Sequence, residues 1–172
     1  VYKCLERGYR FPEVTSWIRA SKKDFELVKD IGIKETGILV SCSDYHIFYK
    51  MKKTRKQALE QYLSVIRDCL EIGISPRCHL EDITRADFYG FVVPFCSELM
   101  KLMDEYKIPI KIRACDTMGY GVNFAGAVIP RSVQGTIYGL IKHAGVPSEM
   151  LEWHGHNDFY KAVTNSPTPW PF

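Results

Sequence analysis

No stretch of the 172 residues approaches the ~18 consecutive apolar positions that a membrane span needs, so a transmembrane helix is excluded and no membrane partner is expected. The six cysteines form no Cys-x-x-Cys pair and most sit in apolar surroundings. Neither a zinc cluster nor a disulfide framework is indicated, and reduced thiols fit a cytoplasmic protein. No Gly-x-Gly-x-x-Gly turn is present, which removes the usual support for a dinucleotide site. Charge of neither sign dominates. The formal +3 is spread along the chain, and its densest basic cluster, Lys50 to Lys56, reads as a solvated loop and helix start, so nucleic acid is not an expected partner. The opening Val1 to Gly8 has neither the apolar core of a signal peptide nor the pattern of a transit peptide.

What is present gathers around Trp153-His154-Gly155-His156-Asn157-Asp158. On a strand, side chains at i and i+2 point the same way, so the two imidazoles would share a face at a Cβ separation of roughly 6.5 to 7 Å, close enough to converge on one ion. On a helix they would stand about 200° apart. Two histidines alone leave a divalent ion short of its usual four to six ligands, so a strand-end pair with no ion is the competing reading.

In chain order, Lys3 to Glu6 suits the end of a strand. Ser21 can cap a helix running to Gly32 with Phe25 and Val28 inward, and Gly37 to Cys42 is an apolar strand of the kind buried on both faces. Thr54-x-x-Gln57 fits a capping box ahead of Leu59, Tyr62, Leu63, Ile66, Cys69 and Leu70 at helical spacing, and Gly73 ends that helix. A strand over 76–80 runs into Glu81-Asp82. A helix carrying Phe91 to Tyr106 follows, with Pro94 tolerated near its first turn. Ile108 to Ala114 forms the next strand, and a helix from Val133 to Gly145 leads into the His-x-His strand. The strands as a set read as apolar on both faces.

Strands alternating with helices imply parallel βα units. Polar strand ends recur at Cys42, Glu81, Asp116 and His154, in steps of 35 to 39 residues. This spacing favours an α/β fold, part of a (β/α)8 TIM barrel, over a doubly wound sheet. The expected unit is a single incomplete barrel domain over residues 1–172, holding roughly strands 2 to 6. In a barrel the C-terminal strand ends share one mouth, so His46, Glu81, Asp116, Thr117, His154 and His156 would converge there. Each has a structural alternative. Glu81 can cap the following helix, Asp116 and Thr117 can satisfy turn amides, and His46 can pack in its loop. His79, inside a strand, and His143, near a helix end, read as structural or exposed.

His154-Gly155-His156-Asn157-Asp158 resembles the His-x-His-Asn-Asp strand of the metal-dependent aldol and Claisen enzymes with barrel folds, the group of isopropylmalate synthase, homocitrate synthase and hydroxymethylglutaryl-CoA lyase. Glu81-Asp82-Ile83-Thr84-Arg85-Ala86-Asp87 is similar to that group's Glu-Asp-x-x-Arg-x-Asp segment. Asp116-Thr117-Met118-Gly119-Tyr120 resembles its Asp-Thr-x-Gly-Tyr segment, and Ser43-Asp44-Tyr45-His46 resembles the preceding strand ending. Within the group, Trp153 to His156, Tyr120 to Phe124 and Pro12 to Ala20 look most like the Re-type citrate synthase branch.

The resemblance implies that His154 and His156 bind a divalent ion (manganese, with zinc, cobalt or magnesium as alternatives). It implies that Thr117, with Asp116 beside it, meets the substrate carboxylate, and that Glu81 and His46 flank the reacting centre. The implied partners are acetyl-CoA and a 2-oxo acid, oxaloacetate going to citrate, in a homo-oligomer. An isopropylmalate- or homocitrate-type synthase and a hydroxymethylglutaryl-CoA-type lyase are the alternatives within the group, and a truncated metal-binding remnant is the non-enzymatic one. The group's first-strand Arg-Asp pair, whose Asp is a metal ligand, has no counterpart in these residues, nor do its last two strands. Pro167, Pro169 and Pro171 would stop the helix that the group continues there. The expectation is an internal piece of a longer protein, inactive alone.

Overall fold

A computed structural model describes residues 1–168. Pro169 and Pro171 lie outside the described residues. The elements run α1 (Tyr2–Leu5), β1 (Ser16–Arg19), α2 (Lys22–Phe25), β2 (Glu35–Ser41), α3 (Arg55–Glu71), β3 (Ser75–Glu81), α4 (Val93–Tyr106), β4 (Lys111–Asp116), α5 (Val133–Ala144), β5 (Leu151–Gly155) and α6 (Ala162–Asn165). All five strands are parallel and lie in sequence order, β1-β2-β3-β4-β5. With helices in the crossovers, this is part of a TIM barrel.

Local chemistry explains the elements that were anticipated. The hydroxyl of Thr54 accepts from the Gln57 amide while the Gln57 side chain accepts from the Thr54 amide, a complete capping box that starts α3. Ala58, Tyr62, Val65, Ile66, Cys69 and Leu70 of that helix are buried. Pro94 sits in the first turn of α4, directly after a π-helical turn over Phe88–Val92. Gly145 takes the left-handed conformation that closes α5. The helices cover the outer face of the sheet, where Ile38, Val40, Cys78, Leu80, Ile112 and Ala114 are fully buried.

Three expectations are corrected and one strand is added. Lys3 to Glu6 is not a strand end: Leu5 and Glu6 donate to the carbonyls of Val1 and Tyr2, closing the short α1. The helix capped by Ser21 stops at Phe25, after which Leu27 and Val28 bond three residues back, so the segment to Gly32 is turns, although Phe25 and Val28 do face inward. β1, which no periodicity announced, is too short to show one; its neighbour β2 fixes it by register, Ser16 opposite Thr36 and Arg19 opposite Leu39. The strands are also not apolar on both faces. The inward face of β3 carries Arg77, His79 and Glu81, that of β4 carries Lys111 and Arg113, and that of β5 carries Glu152 and His154.

These inward charges form a network below the strand ends. Arg77 reaches Glu35 at 2.6 Å and Glu152 at 3.2 Å, Lys111 reaches Glu35 at 2.6 Å, and the Arg113 Nε donates to Glu152 at 2.6 Å. Three cations against two carboxylates leave the floor of the barrel interior positive.

Candidate active site at the strand ends

Register assembles the site. Ser41 pairs with Glu81, and Cys115 pairs with His154. Because Leu80 pairs with Ala114, Glu81 and Cys115 fall opposite each other one step further on. One layer therefore holds Ser41, Glu81, Cys115 and His154, all pointing inward. Above it opens a cavity of about 400 Å3 lined by His79, Glu81, Cys115, Thr117, His154 and His156, with Trp17 and Leu39 as apolar wall. Gly37 makes room for that wall: a Cβ there would stand 2.7 Å from the Trp17 ring and 2.9 Å from the His79 ring.

β5 ends at Gly155, yet His156 stays in line because its amide still donates to the Asp116 carbonyl at 3.3 Å. The rings of His154 and His156 consequently face each other with centroids 4.9 Å apart. Burial, then the neighbouring His156 and Arg113, lowers the His154 pKa, so that imidazole is neutral with a lone pair to offer. The Asp158 carboxylate lies 3.9 Å from the His156 Nδ1. Among the described residues no group of three or more His, Cys, Asp or Glu side chains is arranged to hold a metal ion.

Glu81 is held from three directions. Ser41 donates a short hydrogen bond to its Oε2, and Lys50 donates to Oε1 and Oε2 at 3.1 and 3.2 Å. His46 Nδ1 lies 3.1 Å from Oε2 but off the line a hydrogen bond needs, which makes that contact electrostatic. His46 and Lys50 reach one carboxylate because Tyr45–Lys50 is a π-helical turn, whose wider ring brings both toward the mouth. Burial pushes the Glu81 carboxyl up; the hydrogen bonds from Ser41 and Lys50 and the charges of His46 and Lys50 outweigh it and hold the group below the ordinary range. Glu81 is an ionised carboxylate. Its neighbour Asp82 sits fully buried at φ +64°, a conformation that side chains seldom adopt, fixed by Ser43, Arg85 and the Thr117 hydroxyl.

Thr117 lines the cavity while its Oγ1 accepts from the Asp82 amide at 2.8 Å. Asp116 turns away: fully buried, it accepts from the Tyr120 amide and the Thr84 hydroxyl on Oδ1 and from the Gly121 amide on Oδ2. The structure thus brings Glu81, His46, Thr117, His154 and His156 to one mouth and commits the Asp116 carboxylate to the loop behind it.

Sequence reasoning missed His79, Cys115, Ser41 and Lys50. The signal for His79 was available, since it stands two residues before Glu81 on the same strand face. Burial, with Arg113 and Arg77 nearby, lowers the His79 pKa to about 4. With an unfolded value of ~6.5, the unfolded chain takes up a proton that the folded one refuses, so this contribution is fully present above pH ~6.5 and is lost as pH falls toward 4. Discounted for solvent screening, the loss is about 1 to 2 kcal/mol. His79→Asn should therefore flatten the fall in urea midpoint between pH 6.5 and 4; a slope equal to that of the unmodified protein would refute the assignment.

Against this geometry stand the comparisons. The HMGL-like family matches residues 6–169. The chain is 69% identical, over 97% of its length, to a Citrate (Re)-synthase of Clostridium kluyveri, of which it spans 37%. It is 57% identical over 99% of its length to a Citrate (Re)-synthase of Syntrophus aciditrophicus, of which it spans 27%. The hydroxymethylglutaryl-CoA lyase of Pseudomonas aeruginosa superposes on 93% of this chain and 51% of its own, with a TM-score of 0.68 at 20% identity, which is a likeness of fold.

Proposed function

The chain belongs to the HMGL-like family, and from that premise we propose that it supplies the central part of an acyltransferase that condenses acetyl-CoA with oxaloacetate to citrate. The observation that carries this reading is the 69% identity, over 97% of the chain, to a Citrate (Re)-synthase. Residues 1–172 belong to one barrel domain under this reading. Among the described residues the five strands leave two edges of the sheet unpaired, and eight close a barrel, so under this reading closure draws on strands from outside the described residues. A homo-oligomer in the cytoplasm belongs to the same proposal, and among the described residues no helix is long and apolar enough to cross a membrane.

The donor set fits a divalent ion. Two facing imidazoles, one of them held neutral, would bind it through His154 and His156, with the remaining positions left for substrate oxygens and for groups outside these residues. Manganese is the proposed ion, with zinc, cobalt or magnesium as alternatives; when bound it would act as a Lewis acid toward the ketone of the 2-oxo acid.

The chain's own residues do the rest. The positive floor made by Arg77, Lys111 and Arg113 favours a dicarboxylic acid over a branched aliphatic one. Thr117 presents its hydroxyl at the cavity wall to a substrate carboxylate, and Asp116 shapes the loop that holds Thr117 in place. Glu81, ionised and beside the cavity, is positioned to accept a proton from the acetyl methyl group. His46, 3.1 Å from Glu81, can take part in that proton's onward movement.

Turnover by the full-length protein tests the reading. With manganese, oxaloacetate and acetyl-CoA should give citrate and free CoA thiol, while 3-methyl-2-oxobutanoate and 2-oxoglutarate should give at most about a hundredth of that kcat/KM. Preferential turnover of either of those two acids would replace this proposal with the corresponding synthase.

A further inference from the structure

Four loops at the mouth meet behind Glu81. Glu81 is the last residue of β3, and the next residue, Asp82, turns the chain in the left-handed region at φ +64° while fully buried. A non-glycine residue keeps that conformation only where its surroundings fix it. The Asp82 carboxylate makes no hydrogen bond to the backbone of the short 3-10 turn over Ile83–Arg85 that follows, so it is not a helix cap. It is committed to side chains instead. Arg85 Nε donates to its two oxygens at 2.8 and 3.0 Å, Arg85 Nη2 donates to Oδ2 at 2.6 Å, and the Ser43 hydroxyl donates to the same Oδ2.

The guanidinium is itself held in place. Its Cζ lies 4.8 Å from the ring centre of Tyr45, in the π-helical turn after β2, and 6.0 Å from that of Tyr120, in the loop after β4. Tyr120 in turn carries Arg131 at 4.8 Å and packs against Phe159, from the loop after β5, at 5.5 Å. The backbone of Asp82 reaches the cavity from its other side, because its amide donates to the Thr117 hydroxyl at 2.8 Å. One left-handed residue therefore sets both the carboxylate before it and the hydroxyl across from it. Without the cation a buried carboxylate would lack its charge partner, and leaving the left-handed region is the relief open to the backbone. That movement would re-aim Glu81 and release Thr117.

We propose that Arg85 is a positioning residue for the reaction: through the Asp82 carboxylate it keeps the left-handed turn that aims Glu81 and Thr117 into one cavity. The inference rests on the roles proposed above for those two residues. Tyr45 and Tyr120 steady the guanidinium from neighbouring loops, so the base is placed by the packing of the whole rim and not by β3 alone.

A cycle of variants of the full-length protein tests this. Arg85→Met should lower kcat for citrate formation by about tenfold, the scale of a released backbone strain. Asp82→Gly removes the need for the latch, since glycine adopts positive φ freely, and it keeps the amide that bonds Thr117. On that background Arg85→Met should cost at most about twofold. A residue that merely stiffened the loops would cost the same factor in both backgrounds, and that result overturns the proposal, as does full activity in Arg85→Met alone. Should either variant fail to fold, Asp82→Asn, whose side chain tolerates positive φ and needs no cation, and Arg85→Gln carry the same cycle. Hydrogen exchange at the residue 82 amide needs no turnover. It should quicken by about tenfold in Arg85→Met relative to the unmodified protein, and unchanged exchange there overturns the latch. An unmodified protein that forms no citrate would remove the condensation instead, with the exchange result still deciding the role of Arg85.

Discussion

His154→Ala and His156→Ala, each made in the full-length protein, are expected to abolish binding of the proposed divalent ion and lower kcat/KM by at least about a hundredfold, since even groups that merely orient metal ligands cost ten- to a hundredfold when removed. The basis is geometric. The rings face each other at 4.9 Å between centroids on adjoining inward positions, and no third His, Cys, Asp or Glu among the described residues joins them to compensate for a loss. Because both side chains are partly solvent-facing, the variants should fold, and thermal unfolding without added metal should change little. Metal content by elemental analysis decides the matter: a double variant that keeps full occupancy would remove these two histidines from the metal site.

The second large effect is expected at Glu81. Glu81→Gln keeps the size of the side chain and an oxygen for the Ser41 hydroxyl, but it cannot take a proton, so kcat should fall by about 10² to 10⁴ while oxaloacetate binding is retained. A companion experiment checks the role through its pH dependence. Glu81 is useful as a base only when ionised, and the hydrogen bonds from Ser41 and Lys50 help keep its pKa low despite burial. Lys50→Met removes one of those supports, so the Glu81 pKa should rise and the acid-side fall of kcat/KM should begin at a higher pH than in the unmodified protein. An acid limb that does not move in Lys50→Met, together with near-normal turnover in Glu81→Gln, would assign the proton transfer elsewhere, with His46 the first residue to examine.

The charged interior changes what an open edge means. Strands apolar on both faces would leave a sticky surface wherever the barrel is unclosed. Here the inward faces of β3, β4 and β5 carry Arg77, Lys111, Arg113 and Glu152, tied to one another and to Glu35, so the open side presents ion pairs around a cavity, with half-exposed Trp17 as its main apolar group. Among the described residues β1 and β5 each lack a partner strand on one side, which remains the reason to expect pairing with further strands.

The sequence by itself determined the parts governed by near neighbours. The capping box at Thr54, the left-handed Gly145, Pro94 in the first turn of a helix and the i, i+2 placement of His154 and His156 each follow from a few adjacent residues, and each is found where those residues put it. The even recurrence of polar strand ends was enough to infer parallel βα units and a shared mouth. What only the tertiary structure decided is whatever depends on register between strands and on burial. β1 exists because β2 pairs with it, and its four residues show no pattern of their own. His79, read as structural, lines the cavity because its strand face is the inner one, a choice that period-two alternation leaves open until the sheet curves. Asp116 and Thr117 are adjacent in the chain, yet one is swallowed by the turn amides and the other reaches the cavity wall, because a step of one residue at a strand end reverses the side chain's direction. The ionisation of Glu81 was likewise beyond the sequence, since it is fixed by Ser41 from a neighbouring strand and Lys50 from a π-helical turn, 40 and 31 residues away along the chain and in contact only after folding.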